Sequence, residues 1–480
     1  MKVLFVASEC APFVKTGGLA DVIGAVPGAL KPLGAEARVM LPAYPALKAL
    51  VKGGTEVWQS ADLMGGPATL VAASAEGMDL LLLDAPHLYD RAGSIYLGPD
   101  GADWPDNAQR FAALSQVAAE VATGAAERWR PDVVHAHDWQ AGLIPAYLSQ
   151  QAGVVPPTLM TIHNIAFQGL FDPALMPELG LDERHFDREG AEFWGRLGFL
   201  KAGLAMCDAI TTVSPTYARE LMTPEFGMGL EGLLQARAGD LTGILNGIDT
   251  DVWNPETDGA LTAGYSAKAL KNKTRNRKTV LTRFDLDKNP TGPLFCVISR
   301  LTTQKGLDLL LDAVPALVAR GARLAVLGSG DKDLEAGFVA ASHRHPGSVG
   351  VIIGYDEPLS HLMQGGSDAI LIPSRFEPCG LTQLYGMRYG TLPVVARTGG
   401  LADTVIDANE AALTAGVATG VQFAPVTAQA LIHAVTRTCD LFAQPRVWTG
   451  MMRRAMRHPV GWDTSASAYM DLYEALRQRG

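Results

Sequence analysis

The chain has 480 residues, a formal net charge of −10, and 48% hydrophobic against 19% charged residues. That length suits two or three domains, and that composition describes a buried globular core and excludes a disordered chain. The acidic balance argues against nucleic acid or an anionic membrane surface as a general partner, because both need excess Lys and Arg; a local basic pocket remains compatible with it.

Residues 3–7 read as the first strand. Ser8 and Glu9 end the apolar run far short of a signal-peptide core, and no stretch approaches the length of a membrane span. Five scattered cysteines without a Cys-x-x-Cys pair point to reduced thiols and a cytoplasmic protein. After the strand comes Lys15, then Thr16-Gly17-Gly18-Leu19-Ala20-Asp21. The same hexapeptide returns as Thr398-Gly399-Gly400-Leu401-Ala402-Asp403, after a strand candidate at 393–396. Each copy precedes a helical pattern. A Gly pair there lets the chain turn sharply, and the N–H groups at the helix start are then expected to face an anion; two ordinary turns that merely use Gly are the alternative. Two copies in opposite halves suggest two similar α/β halves with a ligand held between them.

Further strand candidates lie at 132–135, 158–161 and 209–213, and in the second half at 294–299, 323–327, 350–353, 368–372 and 393–396. Helical patterns begin at Gln140 and run over 306–320, 331–343, 357–364 and 380–389. Apolar strands alternating with helices predict parallel sheets covered on both faces. The pattern breaks between Asn246 and Pro293, where a hinge is expected near Asn246. The charged run 268–278 in that stretch reads as a linker and a solvated surface element; its basic part, 271–278, reads as a solvated helix face, with an anionic ligand as the alternative. A last helix is expected over 464–479.

The chemistry-bearing residues follow strands, where open parallel sheets bind ligands. Arg300, Gln304, Lys305 and Gly306 follow the strand at 294–299, and the two cations are candidates for a pyrophosphate. Glu377-Pro378-Cys379-Gly380-Leu381-Thr382 follows the strand at 368–372. Glu377 could stabilise positive charge at a sugar's anomeric carbon or complement a helix dipole. His137-Asp138-Trp139-Gln140 and His163-Asn164 stand at two strand ends of the first half, as sugar-hydroxyl binders or as structural residues. There is no metal-ligand spacing, no Gly-x-Ser-x-Gly elbow and no P-loop.

The set of Lys15 to Asp21, His137-Asp-Trp-Gln-Ala-Gly142, His163-Asn164, Asn246-Gly-Ile-Asp249, Arg300 with Gln304-Lys-Gly306, and Glu377-Pro-Cys-Gly-Leu-Thr-Gln-Leu-Tyr-Gly386 resembles the bacterial glycogen synthase and plant starch synthase family. The resemblance spans essentially the whole chain in order. It implies an α/β protein of the glycosyltransferase GT-B type, with two Rossmann-like doubly wound domains facing across a deep, closing cleft. The expected domains are 1–245 on the acceptor side and 246–456 on the donor side, with a final helix in 457–480 packing back on the first. The implied reaction moves glucose from a nucleotide sugar to the non-reducing end of an α-1,4-glucan such as glycogen, with retained configuration. ADP-glucose is the usual bacterial donor and UDP-glucose the alternative; no cofactor and no metal are expected. Glu377 would sit against the donor glucose, with His163 near its anomeric carbon. Arg300 and Lys305 would neutralise the diphosphate, with Lys15 and Gly18 beside it. Asp21 would lie near the nucleotide, Tyr355 would stack on the base, and Asp138, Asn164 and Asn246 would line the sugar site. Cys379, Gly380, Leu381 and Thr382 would contact substrate from the second half. Many retaining transferases of this fold carry a second Glu eight positions after the first; here Tyr385 stands there, as is usual for the synthase group. Sucrose- or trehalose-forming transferases and an inactive glucan-binding homologue are the rival readings.

Overall fold

The computed structural model describes residues 1–126 and 129–479, which divide into two compact units. One comprises Met1–Val213, Ala218–Asn246 and Trp462–Gly480; the other comprises Ser214–Tyr217 and Gly247–Gly461. The short segment Ser214–Tyr217 joins the second unit through specific bonds that the sequence does not announce. Ser214 Oγ donates to the Pro378 carbonyl at 2.8 Å, the Thr216 N–H and hydroxyl both donate to the Asp403 carboxylate, and the Tyr217 ring meets Phe376 edge-on at 5.4 Å.

In the first unit, the described residues form a sheet in the order Leu241–Gly243, Ala209–Thr212, Thr158–Ile162, Val133–His137, Lys2–Val6, Glu36–Pro42, Met78–Asp84, Ala68–Ala75, Thr55–Ser60. All neighbours pair parallel except the last two pairings, which are antiparallel. The strands nearest the middle are buried on both faces, which explains their unbroken apolar runs. The antiparallel edge alternates more and carries Gly turns, so it offers no comparable run to read. Helix Gly18–Leu30 covers one face, and the C-terminal helix Asp463–Arg479 shares its core: Trp462, Tyr469, Tyr473 and Leu476 pack with Val3, Phe5, Leu19 and Ile23. The helix expected from Gln140 is instead a 3-10 turn, Trp139–Ala141, followed by a short helix, Ile144–Ser149 with Pro145 in its first turn.

The second unit's sheet is parallel throughout, in the order Val349–Ile353, Arg323–Gly328, Leu294–Ile298, Ala369–Ile372, Leu392–Ala396, Val421–Phe423. Helices Leu307–Ala319 and Ala428–Phe442 pack together on one face through Leu310, Leu317, Leu431 and Val435. Helices Lys273–Arg283 and Glu357–Gly366 cover the other through Val280, Leu281, Leu359 and Met363.

The basic run 271–278 is solvated in part: Lys271, Arg275 and Lys278 are exposed, but one of its cations lies inside. Lys273 is 5% exposed, and its ammonium donates to Thr391 Oγ1 at 2.8 Å and the Tyr389 carbonyl at 3.1 Å, among other oxygens. Burial pushes its pKa down to about 7. Asn276 is fully buried and exchanges two hydrogen bonds with the backbone of Ala263. Only part of that helix is solvated; composition averages over both faces and hides the inward residues. No helix among the described residues is long and apolar enough to cross a membrane.

Candidate functional site

The two units each hold a cluster of the expected residues, and each cluster is built by its own sheet. In the second unit, Arg300 leaves the strand Leu294–Ile298 and is exposed. The chain then turns through Gln304, Lys305 and Gly306. Gly306 has φ +67°, and a Cβ there would lie 1.9 Å from the Pro373 carbonyl oxygen, so only Gly lets the turn seat so closely. The Gln304 carbonyl accepts the Arg375 N–H at 2.9 Å, and Arg375 clamps Asp308 with two bonds of 2.6 Å. This docking carries Lys305 to Glu377: Nζ donates to Oε2 at 2.6 Å, and Ser374 Oγ donates to the same oxygen at 2.9 Å. Glu377 is 8% exposed. Both bonds hold the side chain in one place in a largely dry setting.

Cys379 is buried, and Gly380 turns at φ +69° ahead of helix Thr382–Arg388, two residues later than the expected helix start. Gln383 Nε2 ties this turn by donating to the carbonyls of Cys379 and Gly380. Leu381 and Thr382 are half-buried. Tyr385 stacks on Trp253 at 3.6 Å, and Trp253 stacks in turn on His361 at 3.9 Å. Tyr355 follows the strand Val349–Ile353 and is 74% exposed.

In the second hexapeptide one of the helix-start N–H groups is already engaged within the protein: that of Gly400 donates to the carbonyls of Glu377 and Pro378 at 3.1 and 3.0 Å. A Cβ on Gly399 would lie 1.9 Å from the Glu377 carbonyl oxygen, and one on Gly400 would lie 2.2 Å from that of Cys379. Here the Gly pair is a packing device that holds the Glu377 turn. In the first copy, Cβ atoms on Gly17 and Gly18 would meet nothing within 4 Å. Gly400→Ala should therefore cost about 2–3 kcal/mol of stability through overpacking. Gly18→Ala should leave the melting temperature unchanged or slightly raised, since Ala suits a helix better than Gly. Equal losses in thermal melts of the two variants would show that the copies pack alike.

In the first unit, the turn before the first hexapeptide is organised by Glu9, a residue sequence reasoning passed over. Its carboxylate accepts the Thr16 N–H, the Thr16 hydroxyl and the Gly17 N–H. The only signal for it is an acidic residue at the end of an apolar strand. Lys15 pairs with Asp21 at 2.7 Å, and both are partly exposed. Asp138 follows the strand Val133–His137 with φ +55°, an uncommon conformation for a non-glycine residue. Its Oδ1 accepts the N–H of His163 at 2.7 Å and, at 3.5 Å, that of Asn164. Asp138 thus shapes the turn after strand Thr158–Ile162. His163 is 9% exposed, and its Nε2 lies 2.9 Å from Nδ1 of His137. Asn246 ends the first unit with its Oδ1 buried and without a hydrogen-bond partner among the described residues.

Burial sets the protonation of this cluster. It lowers His163 to about 3, and it lowers His135 and His137 well below the usual imidazole range, aided by the neighbouring rings. It raises Asp138 from 3.8 to about 7. Between about pH 6.5 and the depressed folded values, the unfolded chain binds protons on these rings and the folded chain does not. Stability from each ring is therefore present above pH 6.5 and falls on acidification, by up to about 1.4 kcal/mol per pH unit. Asp138 acts in the opposite sense between about pH 7 and 4, because its folded form takes up the proton first. The melting temperature should fall from pH 7 to pH 5, and more steeply in Asp138→Asn, which lacks the opposing group. A shallower slope in that variant would contradict the assignment.

A family model described as the starch synthase catalytic domain matches residues 2–236, and one described as glycosyl transferases group 1 matches residues 280–447. The glycogen synthase of Roseobacter denitrificans is 72% identical over 476 residues, covering 99% of each chain. The chain belongs to the glycogen synthase and starch synthase family. The glycogen synthase of Jannaschia sp. is 56% identical over 478 residues, covering both chains fully. Among solved structures, the catalytic domain of starch synthase IV from Arabidopsis thaliana, bound to ADP and acarbose, superposes with a TM-score of 0.86 at 29% identity over 99% of each chain. The sucrose-phosphate synthase of Thermosynechococcus elongatus matches with a TM-score of 0.61 at 15% identity, which shows shared fold alone. The fold is of the GT-B type, with a Rossmann-like sheet in each unit, mostly parallel in the first and parallel in the second, and the activity class is that of a glycogen synthase glycosyltransferase.

Proposed function

We propose that this enzyme transfers glucose from ADP-glucose to the non-reducing end of an α-1,4-glucan with retained configuration, in the cytoplasm and without a metal or cofactor. The observation that carries the reading is the Lys305–Glu377–Ser374 arrangement: a buried carboxylate with a cation on it, at the end of a parallel strand. Such a carboxylate stabilises an oxocarbenium-like glucosyl group as the bond to phosphate breaks. Arg300 and Lys305 take the negative charge of the departing diphosphate, a task that other transferases give to a divalent cation. Backbone N–H groups at Gly380, Leu381 and Thr382 serve the distal phosphate, and Tyr355 the base. In the first unit, Lys15 and Gly18 serve the diphosphate, with Asp21 near the nucleotide. His163 binds the glucose, and Asn164 and Asn246 line its pocket. The neighbour's bound ADP supports the choice of nucleotide.

The test is a side-by-side donor assay on a glycogen primer. ADP-glucose should exceed UDP-glucose by at least about tenfold in kcat/KM, as when a base-specific hydrogen bond is lost. Equal use of both donors would contradict the assigned nucleotide. Transfer to a fructose or glucose phosphate instead of glucan would contradict the acceptor.

A further inference from the structure

Strands Val133–His137 and Thr158–Ile162 pair parallel, with His137 opposite Thr161. His137 ends its strand, and His163 stands just beyond the end of the other. Their rings therefore lie side by side, centroids 5.2 Å apart, with His137 Nδ1 2.9 Å from His163 Nε2. One of these nitrogens must donate and the other accept.

The far side of His137 decides which. Its Nε2 is buried without a hydrogen-bond partner among the described residues. Phe5 stacks on the ring at 5.8 Å, and His135 lies 4.0 Å away with both of its own nitrogens engaged, by Tyr473 and Thr161. If His163 were the donor, neutral His137 would carry its proton on Nε2, as an orphaned buried N–H. If His137 donates from Nδ1, its Nε2 is a bare lone pair. A buried unpaired N–H is the rarer and costlier of the two. A doubly protonated ring is excluded by the same burial that keeps both imidazoles neutral.

We propose that His137 is a positioning residue: it donates its Nδ1–H to Nε2 of His163 and so fixes His163 as the Nδ1–H tautomer, which presents a hydrogen-bond donor to the transferred sugar. The inference rests on the sugar-binding role given to His163 above. The next residue completes the device, because Asp138 fixes the His163 backbone N–H while His137 fixes its ring. A sugar hydroxyl bound to this ring then accepts, and its own proton stays free for another partner. A second arrangement of the ring would reverse that polarity.

The test uses the full-length enzyme with nitrogen-15-labelled histidine. Two-bond proton–nitrogen correlation at neutral pH reads the tautomer, with the His163 signals identified by their loss in His163→Gln. A protonated Nδ1 and bare Nε2 are expected; a protonated Nε2 overturns the proposal. Two variants carry the functional arm. His137→Asn keeps an amide donor near the Nδ1 position, and His137→Leu fills the space without one. The Leu variant should lose at least about tenfold in kcat/KM for the nucleotide sugar, while the Asn variant stays within about threefold of the parent, the scale of one hydrogen bond. A purely structural role would reverse that order, since an apolar side chain suits this stack better than an amide, so Leu equal to or better than Asn also overturns it. If the sugar-binding role of His163 is itself wrong, His163→Gln will retain kcat/KM whatever the tautomer, and the two failures stay distinct.

Discussion

Glu377→Gln should lower kcat by about 10²–10³-fold, the scale on which one preorganised electrostatic contact to a transition state is lost, while the donor KM moves by about threefold or less. The substitution keeps the side chain's volume and removes its charge. In the folded protein both described bonds to this carboxylate fall on Oε2, from Lys305 and Ser374. A charge that matters most as the glucosyl group becomes cationic acts on the transition state and little on the ground state. Steady-state kinetics with the donor varied at saturating glucan separates the two. A raised KM at unchanged kcat would mean that Glu377 only binds the ground-state sugar.

Most strands that place these residues are legible because they are buried on both faces and read as plain apolar runs: 294–299, 323–327 and 158–161 each lie within a residue or two of the observed strand. The antiparallel edge of the first unit is not legible in this way, since half-exposed strands such as Thr55–Ser60 lack the run. Motif and strand end single out the candidate site residues, but not their partners. Nothing in the sequence says that Gly400 holds the turn of Glu377, that Glu9 gathers Thr16 and Gly17, or that Lys273 lies inside. Each of these depends on a contact between segments far apart in the chain. The two identical hexapeptides make the point sharply. The same six residues start a helix in both places, yet one Gly pair is open and the other is packed against carbonyl oxygens, and only the surroundings differ.

Lys305 is asked to do two things, and its replacement should expose both. Lys305→Gln and Arg300→Gln should each lose about 10²-fold or more in kcat/KM, because charge-assisted contacts to a departing diphosphate are worth roughly 1.5–3 kcal/mol each in a screened site. The two variants should differ in how that loss divides. Arg300 is exposed and touches no described carboxylate, so its loss should fall mainly on the donor KM. Lys305 sits on Glu377 at 2.6 Å, in a pair whose side chains are 19% and 10% exposed. Without that cation the carboxylate loses the bond that positions it, so Lys305→Gln should lower kcat as well. EDTA should leave the parent enzyme's rate unchanged, and Mg²⁺ should not rescue either variant. Full loss on chelation, restored by Mg²⁺ or Mn²⁺, would assign the diphosphate's charge to a metal. The same division between kcat and KM in the two variants would separate Lys305 from the positioning of Glu377 and leave it a phosphate ligand alone.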